Sequence, residues 1–211
     1  GSDGVIENAE ISYARVGIDA DQSGLDMTGM TISNCNTGIN VYGSGLSLSD
    51  SILQYNELGA YASWTSLDID RTLIADNTTG VEGGSASSLT VTNSTIENNG
   101  VGVSPDGATL NHNDIIGNTI GIQTQLSNVY MSYNNIAEND VGVEIGGYPT
   151  RKTLNYNSFT DNTSYAVVYV GGYSEGEVDA TWNWWNTADP LVIPVSIWDV
   201  FDDISLFEIV T

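Results

Sequence analysis

Apolar and polar positions recur along this chain with a regular spacing. In the stretch 89–103, LTVTNSTIENNGVGV, apolar residues stand at Leu89, Val91 and Ile96, and an Asn and a Gly-Val pair follow them. The glycine of this pattern recurs at steps of 21, 21, 21, 22, 19 and 21 residues, at Gly17, Gly38, Gly59, Gly80, Gly102, Gly121 and Gly142. A period of this length indicates a repeat protein, in which stacked units build a common core.

Each repeat is interpreted as three short strands. Apolar residues alternate with polar ones at Leu89 and Val91, the alternation pauses at a polar turn, and it resumes at Val103. A helix would need a longer stretch of 3.6-residue periodicity, and a leucine-rich repeat would need more leucines in each unit. We therefore predict an all-β fold, a parallel β-helix of about eight coils with neighbouring strands ~4.8 Å apart.

A column of asparagines is expected at one turn of the predicted coils. Asn tolerates the left-handed turn conformation, and its amide can bond both to the backbone and to the next Asn, so the column predicts an internal ladder. Its members are Asn56, Asn77, Asn99, Asn118, Asn139 and Asn162. Cys35 occupies the same slot nearer the N-terminus, which favours a small buried side chain over a reactive thiol. The recurring glycines indicate either positive φ or a close approach of backbones. In the eighth coil, the same spacing places Tyr165 in the glycine slot and predicts that Tyr169 points outward.

These motifs resemble those of the right-handed parallel β-helix family of secreted and surface proteins, which includes NosD-like proteins, pectate lyases and polygalacturonases. The resemblance rests on the repeated pattern apolar-x-x-N-x-x-G-[IV] and on DATWNWWNTADP at 179–190, which is similar to a stretch that often closes such helices. Asn186 stands where that closing motif usually has Gly. The resemblance implies a right-handed β-helix over nearly the whole chain, but it says little about function, because this fold hosts lyases, hydrolases, adhesins and stalks.

The pattern divides the chain into three parts. Residues 1–3 are interpreted as an expression scar or leader, residues 4–190 as the β-helix, and residues 191–211 as a C-terminal capping segment, a short helix or irregular lid. The spacing of the apolar residues in that segment predicts one face of a helix, formed by Ile197, Val200, Phe201 and Ile204. The residues expected to cover this end of the core are Trp182, Trp184, Trp185 and Trp198. The alternative for these four rings is a sugar-binding platform. The first coil has no preceding helix over its open end, which favours a piece of a longer parent chain.

The charge balance limits the expected partners. The chain has 27 acidic and 4 basic residues, a formal net charge of -23. Nucleic acids and anionic membranes bind through Lys and Arg, so we expect neither as a partner. No apolar run reaches the ~20 residues of a membrane-spanning helix, so we expect no membrane insertion. Charged residues make up 15% of the chain, which favours a moderately saline extracellular or cell-surface location.

Asp68 and Asp70 form a candidate acidic site. They alternate with Leu67 and Ile69, so both should project outward from one strand, ~6 to 7 Å apart by the strand rise. Two carboxylates at this spacing can bind Ca²⁺, or act as an acid and a base on a glycosidic bond. On so acidic a protein, a solvated face is the favoured explanation of the two carboxylates. Asp68 and Asp70 are therefore candidate metal ligands and, if the chain is an enzyme, the candidate catalytic pair.

Tyr42, Tyr61 and Trp64 form a candidate glycan-binding surface. They fall on adjacent predicted coils with Asp and Asn nearby, an arrangement that suits stacking on sugar rings. Scattered aromatic residues are also ordinary on a β surface.

The supply of basic residues argues against the lyases and polygalacturonases of the resembling family, which use Lys, Arg or His beside their carboxylates. The whole set here is Arg15, Arg71, Arg151, Lys152 and His112, and none lies in a motif. We expect Arg71 to pair with Asp70, and His112 to lie in a turn beside Tyr133.

These observations favour a non-catalytic extracellular β-helix module of a larger surface or secreted protein, serving as a spacer, an adhesion element or a glycan-binding element. The expected partners are a polysaccharide or cell-surface glycan and the rest of the parent chain. The alternative is a polysaccharide-active enzyme, a lyase or a glycoside hydrolase, that uses acidic residues on an outer face. The first interpretation requires no cofactor, and Ca²⁺ is the ion that the acidic face would bind.

Overall fold

Three parallel β-sheets wind around one core. A computed structural model describes residues 4–22, 24–125, 128–147, 152–171, 176–199 and 208–210. Within these residues, each of eight successive coils contributes one strand to each sheet, and each strand pairs in parallel with its counterparts in the neighbouring coils. The predicted eight-coil parallel β-helix is confirmed.

The first sheet shows most directly how the alternating pattern produces the core. Its eight described strands are Gly4–Glu7, Leu25–Thr28, Leu46–Ser49, Ser66–Asp70, Ser88–Thr92, Ala108–Asn111, Val129–Ser132 and Lys152–Asn155. In the strand of coil four, Leu67 and Ile69 are buried, whereas Asp68 between them is exposed. Because successive side chains of a strand point to opposite faces, every other residue enters the core.

The second and third sheets complete each coil. The second contains Glu10–Ser12, Thr31–Ser33, Ile52–Gln54, Leu73–Ala75, Thr95–Glu97, Asp114–Ile116, Asn135–Ala137 and Ser158–Thr160. The third contains Val16–Asp21, Thr37–Tyr42, Leu58–Ser63, Thr79–Gly83, Val101–Ser104, Ile120–Thr124, Val141–Ile145 and Tyr165–Tyr169. We call the turn between a coil's first and second strands the first turn, and the turn between its second and third strands the second turn.

The C-terminal region adds strands to this frame. A 3-10 helix, Ile193–Ser196, leads into Ile197–Trp198, which pairs with Val167 and Val168 as a ninth strand of the third sheet. Gly176–Val178 pairs with Glu208–Val210 in a separate two-stranded sheet. Ile197 thus lies in a strand and not in the helix that its spacing predicted, because its backbone continues the third sheet. The other three positions of that predicted helix lie outside the described residues.

The predicted asparagine ladder is present at the second turn. Asn99 Oδ1 accepts the backbone N–H of Asn77 at 2.9 Å and the Asn77 Nδ2 amide at 3.0 Å. The same pair of bonds joins each asparagine of the column to the next, from Asn56 to Asn162. Cys35 is buried at the N-terminal end of the ladder, where its N–H donates to Asn56 Oδ1 at 2.9 Å.

The last coil departs from the predicted register. The repeat pattern puts Tyr165 in the glycine slot and points Tyr169 outward. In the structure Tyr165 pairs with Val141, and the residue opposite Gly142 is Ala166. Tyr169 pairs with Ile145 and is fully buried. Both predictions were wrong for one reason: this coil is longer than the period, so its third strand starts one residue later than the pattern places it.

Candidate functional site

Asp70 of the predicted acidic pair is held by hydrogen bonds at the first turn. Its Oδ1 accepts from Asn93 Nδ2 at 2.7 Å and from Thr92 Oγ1 at 2.9 Å, and its Oδ2 is paired with Arg71. Asp50 binds the same guanidinium at 2.8 Å. The predicted pairing of Arg71 with Asp70 is therefore present, and it extends to a second carboxylate one coil away.

These contacts stabilise the anionic form of Asp70. The hydrogen bond from Asn93, with smaller contributions from Thr92 and the charge of Arg71, lowers the pKa of Asp70 below its usual value. A carboxyl group stabilised as the anion is a poor proton donor near neutral pH. Asp68 is exposed two residues away on the same strand, with Ser47 and Thr90 beside it in register.

The surroundings of the pair bear on metal binding. A Ca²⁺ ion needs six to eight oxygen ligands, which usually include several carboxylates. In the part of the chain that the structure describes, no three His, Cys, Asp or Glu side chains are grouped so as to hold a metal ion. A Ca²⁺ site at Asp68 and Asp70 would therefore draw most of its ligands from other groups, and it stays a prediction.

The predicted aromatic set is spread over two neighbouring coils. Tyr42 is 47% exposed and Trp64 is 62% exposed, while Tyr61 is half-buried with its hydroxyl against Gly84. Tyr42 pairs in register with Ser63, so Tyr61 lies two residues away along the strand. Among the described rings, none of these three stacks on another. Trp64 and Tyr42 therefore offer separate ring surfaces.

A different aromatic cluster, which the sequence analysis did not identify as a site, runs along the first turn. We call His112, Tyr133, Tyr156 and Trp182 the aromatic ladder. Successive ring centroids are 5.1, 5.3 and 6.5 Å apart, and the ring planes are within 13° of parallel. The prediction that His112 lies beside Tyr133 is confirmed, and their stack continues along the helix axis for two further rings.

The first turn places these rings by its backbone conformation. The four residues have φ of 56°, 56°, 60° and 63°, and the first three directly follow strands of the first sheet. Their left-handed conformation turns the chain sharply, and the rings project outward at equivalent points of successive coils. Asp179 Oδ1 fixes the segment just before Trp182, because it accepts hydrogen bonds from Asn155 Nδ2 at 3.0 Å and from Thr181 Oγ1 at 2.8 Å. Those bonds lower the pKa of Asp179.

A second asparagine ladder fixes the same turn from inside. Each ring residue precedes a member of this column, Asn113, Asn134, Asn157 and Asn183. Asn134 Oδ1 accepts the backbone N–H of Asn113 at 3.0 Å, and Asn157 Oδ1 accepts that of Asn134 at 3.0 Å. Asn113, Asn134 and Asn157 are buried. The available sequence signal was an aromatic-Asn dipeptide, His-Asn, Tyr-Asn, Tyr-Asn and Trp-Asn, recurring once per coil.

The aromatic ladder borders a groove along the helix axis, which we call the first-turn groove. The groove has a volume of about 590 Å³. The other side of the groove is formed by Asn135 and Ser158, which point outward from the second sheet, and by Trp184. The backbone of Trp184 forms an isolated β-bridge with Ser158, and its side chain is 49% exposed. No Asp, Glu, Lys or Arg is among the described residues that line it. The groove is therefore an uncharged aromatic surface on a very acidic protein.

The four C-terminal tryptophans fall into two groups. Trp185 stacks on buried Phe159 at 4.7 Å between centroids, and Trp198 lies against Tyr165 at 5.7 Å; both pack on the core. Trp182 is 76% exposed, and Trp184 is also exposed. Trp185 and Trp198 thus cover the core as predicted, whereas Trp182 and Trp184 do not, because they belong to the outer rim of the first-turn groove.

Comparison with known proteins assigns the family. The model of the right handed beta helix region matches residues 1–107 and, in an overlapping match, residues 37–181. The chain therefore belongs to the right-handed β-helix family. Searches of curated proteins and of solved structures return no match. Among the described residues, no helix has the length and apolar character needed to cross a lipid bilayer.

Proposed function

We propose that this chain is a non-catalytic, extracellular β-helix module of a larger surface or secreted protein, in which it acts as a rigid spacer and binds a polysaccharide or cell-surface glycan. The observation that carries the proposal is the first-turn groove, where exposed aromatic rings and the polar side chains of Asn135 and Ser158 line an open, uncharged surface. Binding sites for small polar ligands typically combine apolar walls with a few fixed polar groups. Sugar rings, with apolar faces and hydroxyl edges, match such a lining.

The rigidity of the site supports a binding role. Hydrogen-bonded asparagines brace both turns of each coil in this region, at Asn113, Asn134 and Asn157 inside the first turn and at Asn118 and Asn139 inside the second. A site that is ordered before the ligand arrives loses less conformational entropy on binding. The stacked coils also provide the length and stiffness that a spacer requires.

The acidic surface supports the extracellular assignment. With a net charge of -23, the molecule repels polyanions and other copies of itself, which favours solubility in a saline environment where that repulsion is screened. An acidic surface also attracts cations, so weak Ca²⁺ binding at Asp68 and Asp70 remains part of the proposal. A thermal melt with and without millimolar CaCl₂ tests it, because binding to the folded state alone raises Tm.

An enzymatic role for Asp68 and Asp70 is the weaker alternative. The anionic state of Asp70 is stabilised, and its nearest cation, Arg71, is shared with Asp50. Lys152 is buried in the first sheet. Among the residues that the structure describes, these assignments leave the pair without an evident proton donor or a basic partner of its own. Loss of measurable turnover in Asp68→Asn would establish the enzyme and overturn the non-catalytic proposal.

The test is a binding assay that also monitors turnover. Purified protein is titrated with neutral and acidic polysaccharides by calorimetry, and the same mixtures are followed for new reducing ends and for unsaturated products. We expect saturable binding to at least one glycan, with no change in the glycan after prolonged incubation. Cleavage of any glycan contradicts the non-catalytic proposal, and absence of binding across both classes contradicts the glycan-binding proposal.

A further inference from the structure

We infer that the first-turn groove takes a neutral, unbranched polysaccharide lying parallel to the helix axis, with a sugar face stacked on Trp184. The inference rests on the proposed glycan binding and names its ligand class and its site. It departs from the surface predicted from the sequence, since Tyr42, Tyr61 and Trp64 lie on the third sheet and its turn, away from this groove.

The direction of the ligand follows from the aromatic ladder. Its rings advance along the axis by one coil at a time, with centroid spacings of 5.1 and 5.3 Å over the first three. The groove therefore runs along the axis from coil six to the segment beyond coil eight. A pyranose unit in an extended chain advances by a similar distance, so a linear polysaccharide can repeat its contacts coil by coil. A branch that points sideways along the surface would meet the ladder on one side or Trp184 on the other.

The stacking geometry separates two kinds of aromatic contact. Rings of the aromatic ladder lie face to face, within 13° of parallel, so their inner faces cover each other and their edges are left for a ligand. Ring edges and tyrosine hydroxyls suit polar contacts with sugar oxygens. Trp184 differs, because no other described ring stacks on it and about half of its surface is exposed. It provides the ring face on the second-sheet side of the groove.

The absence of charged side chains from the described lining determines which class of glycan the groove can bind. Its lining combines aromatic rings with the neutral side chains Asn134, Asn135, Asn157 and Ser158, and the described lining contains no carboxylate and no Lys or Arg. Asp114 and Asp179 flank it through hydrogen bonds to Asn135 and Asn155. A uronate polymer would meet this acidic rim without a cation to neutralise it. A neutral polysaccharide meets no such repulsion and can bond to the partly exposed side chains of Asn135 and Ser158 and to the tyrosine hydroxyls of the aromatic ladder. The Asn134 and Asn157 amides are buried and bonded within the second asparagine ladder, so they shape the floor of the groove and do not contact the ligand.

The experiment compares two exposed tryptophans. Trp184→Ala removes the ring inside the groove, and Trp64→Ala, the matched control, removes an exposed ring outside it. Affinities are measured by calorimetry for neutral β-1,4-linked hexasaccharides of glucose, mannose and xylose and for hexagalacturonate. We expect a neutral hexasaccharide to bind, with affinity reduced roughly tenfold or more by Trp184→Ala and unchanged by Trp64→Ala. Tyr156→Phe, which keeps the ring stack, should weaken binding by a smaller factor through its lost hydroxyl.

The outcomes separate this inference from the proposed function. Tighter binding of hexagalacturonate, or loss of affinity in Trp64→Ala but not in Trp184→Ala, overturns the inference while glycan binding itself stands. Failure of every neutral and acidic glycan to bind overturns both. Each variant is first checked by its circular-dichroism melt. If Trp184→Ala melts early, Trp184→Leu and Tyr156→Phe decide the question, because both keep apolar bulk at the rim.

Discussion

Removing one rung of the second-turn asparagine ladder should destabilise the whole β-helix measurably. Asn99 is 2% exposed and sits in the middle of the column. Its Oδ1 accepts two bonds from Asn77, and its Nδ2 donates at 3.0 Å each to Ile74 O, Glu97 O and Asn118 Oδ1. Asn99→Ala deletes all of these bonds at one buried position.

The magnitude follows from which partners are left without a bond. The Asn77 amide keeps its bond to Leu53 O at 3.0 Å, and Asn118 Oδ1 keeps the backbone N–H of residue 99 at 2.9 Å. The backbone N–H of Asn77 loses its acceptor, and an unsatisfied buried donor costs about 1–3 kcal/mol. Net loss of the remaining bonds adds about 1 kcal/mol. We therefore expect Asn99→Ala to lower the free energy of unfolding by about 2–4 kcal/mol.

The assay is urea unfolding followed by circular dichroism, with Asn36→Ala as the control. Asn36 is exposed, and substitutions at such positions usually change stability by no more than about 0.5 kcal/mol. If the free energy of unfolding of Asn99→Ala falls within that range of the control, the hydrogen bonds of the ladder do not stabilise the fold.

Asn99→Asp provides an independent check. The aspartate is buried and faces three acceptor oxygens, so its folded-state pKa should lie above its unfolded value. Its destabilisation relative to wild type should then be smallest below the unfolded pKa and should grow as the pH rises through the folded pKa. A pH-independent difference would contradict this account.

Three shorter predictions concern the rest of the molecule. Asp70→Asn should be less stable than wild type at pH 7. In acid titrations of unfolding, this difference should vanish as the pH falls through the depressed pKa of Asp70, because a carboxylate with a lowered pKa stabilises the folded state only while it is ionised. Raising the NaCl concentration should increase Tm at pH 7, by screening the net charge of -23, and should do so less near pH 4, where carboxylates take up protons. Trp185→Ala, which removes the stack on Phe159, should cost about 3 kcal/mol in urea unfolding.

The fold was predictable because every coil repeats one environment. Each coil meets the same neighbours above and below, so one alternating pattern is sufficient to predict three strands, their parallel pairing and the inward column of asparagines. The outward projection of Asp68 follows from the same alternation. The prediction of Tyr169 was wrong where the period changes, since a longer loop alters the phase of the next strand without changing its apolar character.

The candidate site was less predictable because it lies in turns. The slot that holds Tyr133 and Tyr156 in late coils holds Asp50, Arg71 and Asn93 in earlier ones, all with positive φ. That conformation constrains the backbone and leaves the side chain free to vary, so the alternating strand pattern does not identify the stack, and its signal is limited to the aromatic-Asn dipeptide of the late coils. The partners of Asp70 were hidden for the same reason, since Arg71 and Asn93 are turn residues whose side-chain directions a strand pattern does not determine.

The glycine column shows how the structure decides between two sequence-based explanations. Positive φ and close approach both explain a recurrent glycine, but Gly102 does not have positive φ. A Cβ built on it would lie 2.5 Å from Gly121 O of the next coil and 3.1 Å from Ile96 Cγ2. The carbonyl belongs to the backbone and cannot rotate away, so close approach is the reason for glycine at this position.

Gly102→Ala should therefore cost about 1–3 kcal/mol or more, as overpacking does, and Gly102→Asn should be at least as damaging. Positive φ predicts the opposite order, since Asn tolerates the left-handed conformation. Gly146→Ala is the control, because its nearest neighbour is a side-chain methyl, Val170 Cγ2, at 3.1 Å. Urea midpoints of the three variants decide the matter. In the last coil the glycine slot is occupied by Ala166. The strand that follows this coil pairs only with Val167 and Val168, so no carbonyl of the described residues is paired opposite Ala166. Glycine is therefore required only where another full coil stacks on the slot.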